Sequence, residues 1–328
     1  MSFAELIGHQ RQLAMLRAAL AAGRLHHAYL FLGPEGVGKR TVALALARAL
    51  HCQKRENDFC DGCANCARIA SGNHPDVRII EQLADKKEIS IQQIRDIERE
   101  LNYQSFTGKR KIAIIDPATL MNIPAQNALL KTLEEPPKES LIILIALSAG
   151  ALLPTLRSRC VRLHFAPLGY QEVVAHLRAA GKKTGYDVEL LATLSMGSVG
   201  MALKLDTDEL VERRREWART LNSLRAGGYQ AAMDAAAELG GDRDEALNFL
   251  KWAESWYRDL LIYRVTHKSD QLINLDMLAE IERQAAENSV AALCSSIEKA
   301  FCAPAEIQRN LNRRMILEDF LFNVVGKP

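Results

Sequence analysis

The sequence predicts an α/β domain with a parallel five-stranded sheet around a phosphate-binding loop, followed by a small and then a larger helical part. A glycine-rich loop at residues 33–41 follows an apolar strand and opens an alanine-rich helix, which is the setting of a P-loop. Five β segments alternate with helices up to residue 166, as in a parallel sheet with right-handed crossovers. Beyond residue 166 the apolar pattern is entirely helical.

Length and charge set broad limits on the kind of protein. A chain of 328 residues allows two or three domains, and a formal net charge of +2 argues neither for nor against a nucleic-acid partner. The first residues lack the features of a signal peptide, and no apolar run approaches the ~20 residues of a membrane span. We therefore expect a cytoplasmic protein without a membrane partner, whose seven cysteines do not form disulfides.

The P-loop contains Gly33, Gly36 and Gly38, and Lys39 stands at its end. Backbone N–H groups of such a loop and of the following helix point at bound phosphates, and the lysine reaches the β- and γ-phosphates. The sequence therefore predicts a cradle for ATP or ADP and does not decide between them. The alternative is a glycine turn that binds no nucleotide.

The residues that would hold and use magnesium depart from the P-loop pattern. A hydroxyl directly after the lysine ligates Mg²⁺ in such loops, but here the residue is Arg40. Thr41 lies one residue on, about 100° around the helix, and should not substitute. Asp116 ends an apolar strand, where a magnesium-binding acid belongs, yet Pro117 follows in place of a catalytic Glu. A magnesium role for Asp116 and an ordinary turn aspartate are both open.

Four of the cysteines cluster within residues 52–66. Cys60, Cys63 and Cys66 form two interlocking C-x-x-C steps, and Cys52 lies just upstream. Four thiolates at this spacing close a tetrahedral Zn²⁺ site and leave no open position, so we predict structural zinc. A redox role needs one pair of thiols and fits poorly. A nucleic-acid-binding role would need basic or aromatic residues, which are not interleaved here.

The other elements of the first 166 residues follow from local patterns. Short apolar runs predict strands over residues 28–32, 77–80, 112–115, 141–147 and 161–165. Apolar residues at helical spacing predict helices over residues 6–22, 42–50, 89–101 and 122–133, the last of them stopped by Pro136 and Pro137.

After residue 166 the helices are first short and then long. Short helices are predicted over residues 170–180, 188–195 and 199–205. Longer helices are predicted over residues 208–225, 229–239, 243–266, 275–288, 290–301 and 305–325. Trp217, Trp252, Trp256 and Tyr257 lie at helical spacing, and we predict that they pack in a core rather than stack on bases.

Four stretches of the chain form a specific combination. They are Leu-His-His-Ala-Tyr-Leu-Phe at residues 25–31, the four-cysteine insertion, Asn-Ala-Leu-Leu-Lys-Thr-Leu-Glu-Glu-Pro-Pro at 127–137, and Leu-Pro-Thr-Leu-Arg-Ser-Arg-Cys at 153–160. This combination resembles the bacterial clamp loaders, which are AAA+ proteins of DNA polymerase III. The resemblance is strong over residues 5–205, and in the C-terminal third it rests on length and helicity only.

The resemblance implies three domains and a set of partners. The three domains are an AAA+ P-loop domain with the zinc insertion over residues 1–166, a helical lid over residues 167–206 and a helical oligomerisation collar over residues 207–328. The implied complex is a hetero-pentamer with gamma/tau and delta clamp-loader subunits, which loads the sliding clamp onto primed DNA within the DNA polymerase III holoenzyme.

The gamma/tau subunits of this family hydrolyse ATP, and the chain departs from them at several positions. Besides Arg40 and Pro117, Ala146 stands at the polar sensor-one position and Gly200 stands where gamma-type subunits carry the sensor-two arginine. Several such losses together indicate a subunit without ATPase activity of its own. An active, gamma/tau-like motor is the alternative.

One part of the catalytic apparatus is kept. In the family, the arginine of the Ser-Arg-Cys motif, here Arg159 after Ser158, acts as an arginine finger in the neighbouring subunit's ATP site. A planar, permanently charged guanidinium suits the charge that develops on a transferring phosphate. The alternative for Arg159 is a structural salt bridge, and Arg157 is expected to be structural or a backup.

Overall fold

The computed structural model describes residues 2–326 apart from 84–85, 87, 182–187, 190, 193–194, 196, 205–206, 270 and 309–310. The chain folds into two compact units. The first comprises Met1–Thr184 with Ser195–Lys204, and the second comprises Gly185–Leu194 with Leu205–Pro328. Each unit has its own hydrophobic core.

The first unit is built on a parallel sheet with the strand order β2-β3-β4-β1-β5. Its strands are β1 Ala28–Leu32, β2 Val77–Ile80, β3 Lys111–Ile115, β4 Ser140–Ala146 and β5 Val161–His164. Every residue of β1, β3 and β4 is buried, as expected for strands covered on both faces. The predicted fold class and the five predicted strands are therefore confirmed, with bounds that shift by a residue at most.

Six helices of the described residues share the two cores on the faces of the sheet. They are α1 Gln10–Ala21, α2 Lys39–His51, α3 Ala64–Ala70, α4 Ile91–Asn102, α5 Ile123–Glu134 and α6 Pro154–Arg157. Two further helices, α7 Tyr170–Ala179 and α8 Val199–Lys204, follow the last strand. Ser90 and Gln93 form a capping box at the start of α4, and the Asn122 side chain accepts a hydrogen bond from the Ala125 N–H at the start of α5. These caps explain why both helices begin where they do.

Some helix bounds differ from the prediction. The first long helix begins at Gln10 rather than residue 6, because Gly8 and His9 have positive φ angles of 82° and 55°. The P-loop helix begins earlier than predicted, at Lys39, directly after the loop. The helix predicted over residues 188–195 lies partly outside the described residues.

The second unit consists of helices in its described residues. They are α9 Thr207–Leu239, α10 Arg243–Thr266, α11 Leu278–Glu287, α12 Val290–Gln308 and α13 Arg313–Val325. Within α9, Gly228 has φ 62° and ψ −153°, so the run is two helices that meet at the predicted break. Trp217, Trp252, Trp256 and Tyr257 are all buried in the core of this unit, which confirms the packing prediction.

The break predicted between residues 301 and 305 is wrong. Helix α12 continues through Pro304 to Gln308, and the next helix starts at Arg313. Pro304 lacks a backbone N–H, but Ala300, Ala303 and Ile307 on the same helix are buried in the core. Their packing holds the helix together across the proline.

Among the described residues, no helix combines the length and the apolar character that crossing a bilayer requires.

Candidate functional site

The P-loop connects β1 to α2 beside a cavity of about 780 Å³. Gly38 is the N-cap of α2, so the first N–H groups of this helix have no partner within the helix. The cavity volume lies within the roughly 300–1,000 Å³ of small-ligand pockets. Its lining includes residues of the P-loop and of the carboxyl ends of the strands, together with the apolar residues Leu6, Ile7 and Leu168.

Lys39 is buried at the start of α2 and is folded back on its own loop. Its Nζ donates hydrogen bonds to the carbonyl oxygens of Gly33 and Pro34, both at 2.5 Å. Burial lowers the pKa of Lys39, and the charges of Asp116 and Glu35 oppose that shift. In this structure the ammonium is thus held by two carbonyl groups of its own loop.

Gly36 packs against the first turn of α8 and the residue before it. The Gly200 N–H donates to the Gly36 carbonyl at 2.8 Å, and the Ser198 hydroxyl donates to the Glu35 carbonyl at 2.9 Å. A Cβ on Gly200 would lie 2.8 Å from the Cα of Gly36. A side chain at position 200 would therefore collide with the backbone of this loop.

The guanidinium of Arg40 lies beside the two acids that follow β2 and β3. Arg40 Nη1 forms a short ion pair with Glu81 and lies 3.6 Å from Asp116 Oδ2. The hydrogen bond to Glu81 raises the pKa of Arg40, while burial raises the pKa of Asp116 and the Arg40 charge opposes that shift. Thr41 and Pro117 also line the cavity. A guanidinium where the ion needs a hydroxyl ligand does not fit magnesium.

Glu81 is a member of this cluster that the sequence analysis missed. It directly follows β2, just as Asp116 directly follows β3, and the two strands pair with Ile80 opposite Ile115. Parallel strands end at the same edge of a sheet, so two acids after neighbouring strands lie side by side. The sequence shows that an acid follows each of the two strands, but the strand order was needed to place these acids side by side.

The four cysteines of residues 52–66 come together after the end of α2. The Sγ atoms of Cys52, Cys60, Cys63 and Cys66 all lie within 4.8 Å of one another, and the Cys66 N–H donates to Cys63 Sγ at 3.5 Å. Asp61, which lies between Cys60 and Cys63, has a φ angle of 53° and forms a turn there.

The chemistry of this cysteine cluster suits a metal ion. Burial alone would raise the pKa of the Cys63 thiol, but hydrogen bonds from Gln53, Cys66 and Cys60 outweigh it and lower the pKa to about 6. Burial raises the pKa of the neighbouring Cys66 thiol to about 12, so the suitability for a metal ion rests on the closeness of the four sulfur atoms. Four sulfur donors within this distance fit the tetrahedral set of a structural zinc ion.

Arg159 lies on the surface of the first unit, just after α6. Its Nη2 pairs with Glu134 Oε1 at 2.5 Å, its Nη1 donates to the Thr155 carbonyl at 2.7 Å, and its side chain is 34% exposed. The Ser158 hydroxyl also donates to Thr155, at 2.9 Å. The arginine finger and the structural salt bridge both stay predictions for Arg159. An arginine finger would have to break the ion pair with Glu134, whereas a structural salt bridge would keep it.

Known proteins resemble the chain over nearly its whole length. A family model described as DNA polymerase III, delta subunit, matches residues 8–169, and one described as DNA polymerase III, delta subunit, C terminal, matches residues 208–325. The DNA polymerase III subunit delta' of Pseudomonas aeruginosa is 31% identical over 92% of each chain. Subunit delta' of Escherichia coli is 30% identical over 94% of this chain and 92% of that protein. Escherichia coli subunit tau is 30% identical over 76% of this chain but only 38% of its own length.

The parallel sheet, its P-loop and the helices that follow define an AAA+ protein. Within that class, the chain belongs to the family of DNA polymerase III delta' subunits.

Proposed function

We propose that this chain works in a clamp loader as a subunit that does not hydrolyse ATP and that lends Arg159 to the ATP site of an adjacent gamma/tau subunit. Its partners in this proposal are gamma/tau and delta subunits, in a hetero-pentamer that loads the sliding clamp onto primed DNA in the cytoplasm. The similarity to subunits named delta' and tau supports membership of such an assembly.

The contact of Arg40 with Glu81 and Asp116 carries the proposed loss of hydrolysis. Hydrolysis by a P-loop protein needs a metal ion bridging the phosphates and a residue that positions the attacking water. Arg40 replaces the hydroxyl that holds the ion, and Pro117 has no side-chain base. Since both functions are missing, restoring one group should not restore turnover.

The surface position of Arg159 supports the role of a finger. Exposed ion pairs contribute only about 0–1 kcal/mol, so exchanging Glu134 for a phosphate costs little stability. The guanidinium gains a stronger, doubly hydrogen-bonded acceptor in that exchange. Arginine fingers of other NTPases raise the rate by about 10³–10⁵.

We further propose that the cysteine cluster, Cys52, Cys60, Cys63 and Cys66, holds one structural Zn²⁺. Apart from its cysteines, the insertion of residues 52–66 contributes Phe59 to the core of the first unit, so the metal would supply much of its local stability.

ATP turnover and clamp loading by reconstituted complexes test the catalytic proposal. The chain alone is expected to show no significant hydrolysis. In the complex, Arg159→Ala is expected to lower turnover in part, because the other sites receive their fingers from other subunits, while Lys39→Ala has a much smaller effect. Arg162→Ala, an exposed arginine on β5, is the matched control and should leave turnover unchanged.

The intact P-loop and its lysine favour a second candidate, an ATP-hydrolysing motor similar to gamma/tau. The variants Lys39→Ala and Arg159→Ala distinguish this motor from the proposed subunit without ATPase activity. If Lys39→Ala abolished loading while Arg159→Ala had no effect, the chain would be a motor and the proposal would fail.

A further inference from the structure

Arg40 brings a fixed positive charge to the place where P-loop proteins hold Mg²⁺. Its Nη1 contacts Glu81 and lies 3.6 Å from Asp116 Oδ2. We propose that this guanidinium takes the place of the ion and that the cavity binds a nucleoside polyphosphate in its metal-free form. This goes beyond the loss of hydrolysis, because it assigns the P-loop a ligand, and it shares with the proposed function the premise that metal-assisted chemistry is lost here.

Magnesium and the guanidinium compete for the same carboxylate. Arginine does not lose its proton in proteins, and the hydrogen bond to Glu81 raises the pKa of Arg40 further. A divalent ion on Asp116 would therefore lie close to a like charge. Magnesium also demands near-ideal octahedral oxygen ligands, and the loop hydroxyl that supplies one of them is missing.

Arg40 keeps donors for a ligand while it holds the two acids. Both contacts use Nη1, so among the described residues Nε and Nη2 of Arg40 have no partner. The planar guanidinium donates through several N–H groups in a geometry that matches phosphate oxygens. One side chain can therefore hold Glu81 and a phosphate at the same time.

The rest of the cavity suits the same ligand. The start of α2 presents N–H groups without helical partners, which favour an anion. Lys39 lies beside them, and among the described residues its Nζ donates only to the neutral carbonyl oxygens of Gly33 and Pro34, so a polyphosphate would attract its ammonium. The apolar side chains of Leu6 and Ile7 line the cavity as well and offer a surface for a nucleobase.

Calorimetric titration of the full-length chain with ADP, in EDTA and in excess MgCl₂, tests this proposal. Wild-type protein is expected to bind ADP at least as tightly in EDTA as with magnesium, because magnesium withdraws the free polyphosphate. Arg40→Thr, which restores the loop hydroxyl, is expected to bind about tenfold more weakly in EDTA, as after loss of one charged phosphate contact, and to regain affinity with magnesium. Arg17→Thr, an exposed position on α1 that does not line the cavity, is the matched control.

Two outcomes of the wild-type titration overturn the proposal: binding that requires magnesium, and no binding under either condition. These results do not depend on any variant, so a misfolded Arg40→Thr protein does not prevent a decision. They are also independent of the Arg159 experiment, whose readout is turnover at the neighbouring gamma/tau site.

Discussion

At the scale of single residues, two glycines with similar backbone angles differ in what surrounds them. Gly36 in the P-loop has φ +71°, and a Cβ there would lie 2.2 Å from Ser198 Oγ and 3.2 Å from the Gly200 Cα. Gly72, after α3, has φ +75° and nothing within 4 Å of such a Cβ. The first glycine is required by backbone angle and by close packing, and the second by backbone angle only.

Alanine substitutions at these two glycines separate the two effects. Both should cost about 1–2 kcal/mol for the left-handed backbone conformation. Gly36→Ala should cost about 1–3 kcal/mol more, because the methyl group forces the P-loop away from residues 198–200. Chemical denaturation measures both changes, and equal losses would show that the loop does not pack against these residues in solution.

At the scale of elements, one carboxylate holds the connection between α4 and β3. Asp76, just before β2, accepts hydrogen bonds from the Phe106 and Thr107 N–H groups at 2.8 and 2.9 Å, and from the Ser105 and Thr107 hydroxyls at 2.9 and 2.7 Å. Burial alone would raise the pKa of Asp76, but these hydrogen bonds outweigh it and lower the pKa. The ionised carboxylate is therefore the form that stabilises the fold.

The lowered pKa of Asp76 predicts a pH dependence. Its stabilisation is fully present above the pKa of the unfolded chain, about 3.9, and is lost as the pH falls through the lower folded-state pKa. Asp76→Asn should lower the free energy of unfolding by about 1–3 kcal/mol at neutral pH and flatten the loss of stability below about pH 4. Denaturation from pH 7 to pH 2 measures both effects.

Asp96→Asn is the control for this pH experiment. Asp96 lies on α4 with its side chain 52% exposed, in a pair with Arg99 that spans 3.4 Å. Its removal should change stability by less than about 1 kcal/mol. If Asp76→Asn lost stability below about pH 4 as steeply as the wild-type protein, another carboxylate would control acid unfolding.

The cysteine cluster is the second element-scale case. Protein purified without chelator is expected to contain about one zinc per chain by elemental analysis, because four close thiolates bind this ion tightly. Cys63→Ser should lose the metal and lower the stability of the insertion, whereas Cys294→Ser, at an exposed cysteine elsewhere, should keep it. Metal-free protein with four titratable thiols at these positions would contradict the assignment.

At the scale of the whole molecule, the two units have separate hydrophobic cores, and the second unit is the one proposed to bind other subunits. The second unit has a continuous core of its own and still exposes large apolar side chains, among them Phe301 at 67% and Met315 at 65%. Single exposed apolar side chains are common on protein surfaces, whereas a contiguous apolar patch marks a protein-binding surface. The collar over residues 207–328 stays a prediction.

Truncation after residue 206 tests the collar. The remaining chain keeps the sheet and its core, so circular dichroism should show a folded protein. It should no longer co-elute with gamma/tau and delta subunits in size-exclusion chromatography, because the proposed oligomerisation surface is gone. Stable co-elution of the truncated chain would show that the interface lies in the first unit.

The sequence by itself determined the fold class, the five strands, the P-loop and the cysteine cluster. Each of these depends on residues that are close in the chain, such as an apolar run, a glycine spacing or two interlocking C-x-x-C steps. The presence of Arg40 where the motif expects a hydroxyl was visible for the same reason, since it concerns one position of a contiguous motif.

Only the tertiary structure decided which groups meet across the chain. The sheet order places Glu81 beside Arg40 and Asp116. The approach of Gly200 to Gly36 leaves no space for a side chain at position 200. Glu134 pairs with Arg159, which is 25 residues away in the chain. Packing in the second core also carries α12 through Pro304, against the local preference of proline. Such contacts depend on strand order and on burial summed over distant residues, which no local pattern encodes.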